Sequence, residues 1–227
     1  MIKASITLNK GGTGKTTFTK NLATAATQAG LAAYIFDMDS QTNAENWILR
    51  RQDRQSIPMP SGQFVTEGRL LTELARVEGI GCDLAFIDTP PGKSTEALAA
   101  VEASDIVLMP FWNDQDSYDG LEKTAGMARR LGKPAYAILN HAEPNSRVHE
   151  DTARAVLAAM DVSMAPVVLH RYRAHQLASA EGLTAQEAEP DSAAAQEIAA
   201  LWNWFSAIVH IGTPAPVHKK SKQKVAS

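Results

Sequence analysis

A doubly wound α/β domain, with a mainly parallel sheet covered by helices on both faces, is the fold class this sequence predicts. Three observations predict it. Short apolar runs alternate with longer stretches of helical spacing, the pattern of right-handed strand–helix–strand crossovers that produce parallel strands. A glycine-rich turn stands where the first apolar run meets the first helical stretch, a place where open parallel sheets bind ligands. The 227 residues, 44% hydrophobic and 21% charged, match one large domain of ordinary globular composition.

Strands are expected at residues 4–8, 32–36, 84–87, 106–109, 135–139 and 166–169. After the first of these, Phe18, Leu22, Ala26 and Ala29 recur at helical steps and stop at Gly30, a residue suited to the left-handed position beyond a helix end. Residues 50–68 are polar, carry Pro58, Pro60 and two glycines, and read as a long surface loop. Helical spacing returns over 191–209, where Ile198, Leu201, Trp202 and Phe205 form a stripe. That stripe reads as a last helix packed on the sheet, with a partner-binding face as the alternative. Trp204 falls off the stripe and is either exposed or covers a neighbouring element. Pro214 and Pro216, after Gly212, end the helix and begin a tail. The sequence shows no internal repeat, and the expected division is one domain over 1–209 with a basic, flexible tail over 210–227.

A net charge of −3 argues against a chain coated in nucleic acid. The charge is uneven, however. The last ten residues hold Lys219, Lys220, Lys222 and Lys224 and no acid, giving either a local contact for polyanions or a solvated terminus. Cys82 is the only cysteine, so neither a disulfide framework nor an iron–sulfur or zinc site within the chain is expected. It reads as a small apolar packing residue. The first apolar stretch breaks at Asn9-Lys10, too early for a signal peptide, and no later run approaches the roughly 18 apolar residues of a membrane span. A soluble, cytoplasmic protein of a reducing compartment is the expectation.

The strongest chemical signal is Lys10-Gly11-Gly12-Thr13-Gly14-Lys15-Thr16-Thr17. Glycines let successive backbone N–H groups curl around phosphate oxygens, and the helix that follows adds unsatisfied donors and partial positive charge. Lys15 is placed to reach the β- and γ-phosphates, and the Thr16 hydroxyl to ligate Mg²⁺. The loop departs from the common spacing: Asn9 stands where the first glycine would be, and a lysine precedes the glycine pair. In this it resembles the deviant Walker A loop of the ParA/MinD ATPases. The resemblance implies that Lys10 crosses a nucleotide-sandwich dimer to the partner's phosphates; a second cation near the γ-phosphate also suits phosphoryl transfer.

Two further segments resemble the same family. Phe36-Asp37-Met38-Asp39-Ser40-Gln41 is similar to its D-x-D-P-Q motif, with Ser40 in place of proline. The resemblance implies that Asp39 positions or activates the attacking water and that Asp37 supports the Mg²⁺ environment; acid pairs at strand ends also serve as helix caps. Residues 84–92, Leu-Ala-Phe-Ile-Asp-Thr-Pro-Pro-Gly, read as an apolar strand ending in a Walker B carboxylate, Asp88, that holds the Mg²⁺ shell, followed by a switch-like turn.

Asn140-His141-Ala142-Glu143 only faintly imitates a guanine motif, and the resemblance instead implies that Asn140 touches adenine; an asparagine of no special role is the other reading. Arg171 and Arg173 flank Tyr172 after the sixth strand and, by the resemblance, contact DNA phosphates non-specifically; a solvated turn or ion pair is the alternative. His170 and His175 read as polar surface.

The chain is therefore expected to be a short ParA-type ATPase without an N-terminal DNA-reading domain, slow alone, using ATP and Mg²⁺. The resemblance implies an ATP-dependent homodimer that binds DNA non-specifically, associates with the nucleoid, and distributes plasmid or other cargo. A ParB-like or other adaptor would stimulate hydrolysis. A MinD-like membrane-associated regulator is the alternative, though the end of the chain lacks the amphipathic apolar stripe that role needs. A P-loop transferase acting on a small metabolite is another. A nitrogenase-type iron protein is excluded by the single cysteine.

Overall fold

The computed structural model describes residues 1–55, 57, 59–92, 95–142 and 147–211. Lys219, Lys220, Lys222, Lys224 and Glu143 lie outside the described residues, as does all of the expected tail beyond residue 211. Seven strands form one sheet in the order β3-β2-β4-β1-β5-β6-β7, and every pairing is parallel. They are β1 (Ile2–Ile6), β2 (Ala33–Asp37), β3 (Ser61–Phe64), β4 (Leu84–Asp88), β5 (Ile106–Phe111), β6 (Ala135–Leu139) and β7 (Ser163–Met164). Nine helices connect them among the described residues: α1 (Lys15–Gln28), α2 (Asn43–Gln55), α3 (Glu67–Gly79), α4 (Thr95–Ala103), α5 (Gln115–Arg130), α6 (Arg147–Ala159), α7 (Arg173–Ala180), α8 (Ala185–Ala188) and α9 (Ala193–Ile208).

Strands β4 and β5 are buried along their whole length, which is why they read as near-continuous apolar runs. On one face Phe18 and Leu22 of α1, Trp47 of α2 and Leu201 and Phe205 of α9 pack on Ile6, Ile35 and Phe86. The other face carries two clusters, Leu121 and Leu157 on Met109 and Phe111, and Leu70 and Leu74 on Phe36 and Ile87. The α9 stripe therefore belongs to the core, and Trp204 covers a neighbour, its ring edge-on to Tyr136 at 5.3 Å. Helix α1 ends as its glycine predicts: Gly30 takes φ +85°, its N–H donates to the Thr27 carbonyl, and the Leu31 N–H donates to that of Ala26.

Two expectations are corrected. Residues 50–68 are not one loop: α2 runs to Gln55, and Ser61–Phe64 adds an edge strand paired to β2. An edge position tolerates a polar, half-exposed strand, so its composition imitates a loop. Residues 166–169 are not a strand; the strand is the two-residue Ser163–Met164 before them. Leu169 still donates its N–H to the Leu139 carbonyl at 2.9 Å, so the apolar run serves core packing beyond the ladder's end.

Candidate functional site

The carboxyl ends of the neighbouring strands β2, β4 and β1 lie side by side at one end of the sheet, with Asp37 and Asp88 register partners across β2 and β4. The chain leaves β1 through residues 7–14 and enters α1. Gly14 precedes the first helical turn with φ +97° and offers no side-chain cap, so the first N–H groups of α1 stay available to an anion. A Cβ at residue 14 would stand 2.4 Å from the Asn140 Nδ2 atom, so only glycine fits there. Asn140 is itself buried and donates from Nδ2 to the Thr13 carbonyl at 2.7 Å, bracing the loop from the end of β6.

The two lysines of the loop have different partners. Lys15 is buried and donates to the Lys10 carbonyl at 3.0 Å. Burial lowers the pKa of its ammonium, with Asp88 and Asp39 pulling the other way. Lys10 turns aside: its Nζ donates to both carboxylate oxygens of Asp114, at 2.5 and 2.6 Å, and lies 5.6 Å from the centre of the Trp112 ring. Burial opposes ionisation of Asp114, but Lys10 and the Ser117 N–H outweigh it and hold its carboxyl below the ordinary range.

The acids also divide by role. Asp37 is fully buried; its Oδ2 accepts from the N–H groups of Ala44 and Glu45 at 2.8 and 3.1 Å, and its Oδ1 from that of Asp39 at 3.0 Å. Its carboxylate thus tethers the start of α2 and the turn before it. Burial pushes its pKa up while those N–H groups pull it down. Asp39 is half-buried and accepts from the Gln41 N–H at 2.9 Å. Asp88 is 0% exposed and neither of its carboxylate oxygens has a hydrogen-bond partner. Burial pushes its pKa to about 7, although Thr16, Lys15 and Lys20 favour the ionised form. Beside it the Thr89 hydroxyl donates to the Ile6 carbonyl at 3.0 Å, joining the switch-like turn to the strand that feeds the loop.

A buried carboxylate with both oxygens unpartnered fits a cation, and Thr16 supplies a further oxygen donor from the first turn of α1. No cluster of three or more His, Cys, Asp or Glu suited to a metal occurs among the described residues. A divalent ion here would therefore take most of its ligands from phosphate and water, the habit of Mg²⁺.

From Gly12 and Gly14 a cleft of about 770 Å³ runs past Asn140 to Tyr172 and His175. Arg171 and Arg173, two of the six residues expected to contact DNA, line it as well. His170 is also in its lining, with Nδ1 2.6 Å from a Glu197 oxygen. Sequence reasoning missed two residues. Lys20, one turn beyond the loop, has its pKa lowered by burial to about 8 despite Asp88 and Asp37 nearby. Asp114 carries a visible signal as the polar residue opening a helix after the run ending at Phe111, but its pairing with Lys10, 104 residues away, leaves none.

An open parallel sheet with a glycine-rich loop, a basic side chain inside it and a buried acid at the next strand end defines a P-loop nucleotide-binding protein. The chain belongs to the CobQ/CobB/MinD/ParA nucleotide-binding family, whose model matches residues 4–188. It is 31% identical over 192 residues to maintenance of carboxysome distribution protein A of Gloeobacter kilaueensis, covering 80% of this chain and 86% of that protein. With the chromosome-partitioning ATPase Soj of Thermus thermophilus it shares 30% identity over 149 residues, 54% of this chain and 58% of the other. Among solved structures, the septum site-determining protein MinD of Pyrococcus horikoshii, complexed with Mg-ADP, superposes with a TM-score of 0.72 at 21% identity, covering 93% of this chain and 98% of that one. ParA/MinD proteins are ATPases that bind ATP with Mg²⁺. No helix among the described residues is long and apolar enough to cross a membrane.

Proposed function

We propose that this chain is an ATP-switched positioning ATPase of the ParA type: it binds ATP with Mg²⁺, pairs with a second copy, holds non-specific DNA and distributes a cargo. The observation that carries the reading is Asp88, a carboxylate buried without partners in the company of Thr16 and Lys15. In its ionised form such a group is destabilising unless a cation offsets it.

In this reading the N–H groups at the start of α1 and the Lys15 ammonium bind the β- and γ-phosphates, and Lys15 exchanges the Lys10 carbonyl for them. Thr16 and Asp88 hold Mg²⁺, which neutralises charge on the phosphates when bound, while Asp37 fixes the turn from which Asp39 orients the attacking water. Lys10 from the second copy adds a cation where charge develops. The γ-phosphate thus supplies the contacts that favour the pair, and hydrolysis withdraws them. Hydrolysis is slow until an adaptor protein engages. The carboxysome-distribution and chromosome-partitioning roles in the names of its relatives support cargo positioning.

Phosphate release tests the catalytic part: the wild type hydrolyses ATP only with Mg²⁺, and Lys15→Ala abolishes turnover. Turnover unchanged in that variant contradicts the assignment. DNA-coated beads test the rest. ATP-dependent, salt-sensitive binding is expected, weakened in Arg171→Ala and Arg173→Ala. Because both arginines line the nucleotide cleft, ATP affinity is measured in parallel: a loss of ATP affinity instead of DNA affinity moves them to the nucleotide.

A further inference from the structure

We propose that Glu197 is a positioning residue for the nucleoside end of the cleft, holding residues 170–172 as the wall that meets the base and ribose of ATP. This role rests on the proposed ATP binding, with the phosphates at the Gly12 and Gly14 end.

One carboxylate gathers three partners from one short segment. Its Oε2 accepts from the His170 N–H at 2.9 Å. Its Oε1 lies 2.6 Å from the His170 Nδ1 atom and accepts from the Tyr172 hydroxyl at 3.0 Å. Among the described residues, the side chains of His170 and Tyr172 make no other hydrogen bond. The carboxylate is itself held in place, because α9 is seated in the core by Ile198 and Leu201. Upstream the segment is tied to the end of β6, with the Ala142 N–H donating to the Leu169 carbonyl at 3.1 Å and the Leu169 N–H to that of Leu139. Tyr172 then opens α7 with no side-chain cap, so the turn into that helix takes its side-chain hydrogen bonds from α9.

The cleft explains both the need for this carboxylate and its location. Arg171, Arg173 and three histidines line the cleft and no acid does; Ile198 is in the lining, but Glu197 beside it is not. Such a lining suits an anionic ligand, which an acid facing it would repel. With its charge engaged by three partners outside the lining, Glu197 orders residues 170–172 without meeting the ligand. A wall ordered in advance loses less freedom when the ligand binds. The phosphate loop has a separate brace in Asn140, so loosening the wall weakens the hold on the nucleoside and leaves the hold on phosphate intact.

Glu197→Gln keeps the shape and removes the charge, and Tyr172→Phe removes a single donor. Binding of ATP and of inorganic triphosphate, each with Mg²⁺, is measured by calorimetry in the wild type and both variants. ATP affinity is expected to fall on the order of tenfold in Glu197→Gln, the weight of one lost hydrogen bond to a charged group, and roughly threefold in Tyr172→Phe. Triphosphate affinity stays unchanged in both, a split that a general loss of stability would not produce. Combining the two substitutions adds nothing to Glu197→Gln alone, because Tyr172 is held through the carboxylate. Triphosphate binding that weakens in parallel with ATP, losses that add, or ATP affinity unchanged in both variants overturns the role of Glu197. So does a wild type that binds ATP but no triphosphate, since the two ends of the cleft are then inseparable. A wild type that binds no ATP overturns the nucleotide reading and this role with it.

Discussion

Burying Asp88 costs stability whenever its carboxyl is ionised. Its pKa rises from 3.8 to about 7 on burial, so between those values the folded chain binds more protons there than the unfolded chain. The contribution of Asp88 to the stability of the ligand-free protein falls as pH rises from about 4 to 7 and levels off above, each pK unit being worth about 1.4 kcal/mol before relaxation. Asp88→Asn removes that titration. The variant is expected to be more stable than wild type at pH 8, by on the order of 2 kcal/mol in urea denaturation, with a flatter profile between pH 4 and 7. It is also expected to lose Mg²⁺-dependent ATP hydrolysis. A variant less stable than wild type at pH 8 contradicts the account of the buried carboxylate. With Asp88 in the Mg²⁺ shell, as proposed, Mg²⁺ competes with its proton, and Mg²⁺ affinity in the wild type is expected to drop as pH falls below about 7.

Among elements, α2 shows which ion pairs matter. Arg51 is 2% exposed, donates to both Glu187 oxygens, and also serves the Gly182 and Met59 carbonyls at 3.1 and 2.9 Å. Glu187 in turn completes the capping box of α8 with Thr184, so one buried guanidinium ties α2 to α8. Arg51→Ala leaves that carboxylate and two carbonyls without their partner and is expected to cost about 3 kcal/mol. One turn on, Arg54 pairs with Glu181 in the open, and Arg54→Ala is expected to cost less than about 1 kcal/mol. Equal losses in chemical denaturation would contradict the distinction. At the phosphate loop, Asn140→Ala removes the brace on Thr13 and is expected to weaken ATP binding about tenfold, read by calorimetry, without changing helix content.

The contrast between helices and edges also explains what could be read from the sequence. Strands β2, β4, β5 and β6 announce themselves because burial on both faces demands near-continuous apolar runs, and α1 and α9 because theirs is a one-sided stripe. Ser61-Gly62-Gln63-Phe64 carries no such demand at the sheet edge, and its glycine lies against Ile48 and the Ile35 backbone, so it reads as a loop. At the candidate site, residues 10–17 and Asp88 stand out in the sequence because a glycine-rich turn before a helix and an acid ending an apolar run are local signals. The Asn140 brace, the Asp114 anchor and the depth of Lys20 depend on contacts 100 or more residues away or on burial by other elements. Those are properties of the folded chain.

For the molecule as a whole, nucleotide binding and folding are linked. A ligand held only by the folded chain and present at about a hundred times its Kd stabilises it by about 2.7 kcal/mol. For a chain of this size that is a rise in Tm of roughly 5–10 °C, expected with ATP and Mg²⁺ in the wild type and absent in Lys15→Ala. The direct test of the central claim is calorimetric titration of ATP into the wild type at pH 8, with Mg²⁺ and with EDTA. The account predicts one ATP per chain with Mg²⁺, and binding at least tenfold weaker without the metal or in Lys15→Ala. No heat, or binding indifferent to both Mg²⁺ and Lys15, would contradict it.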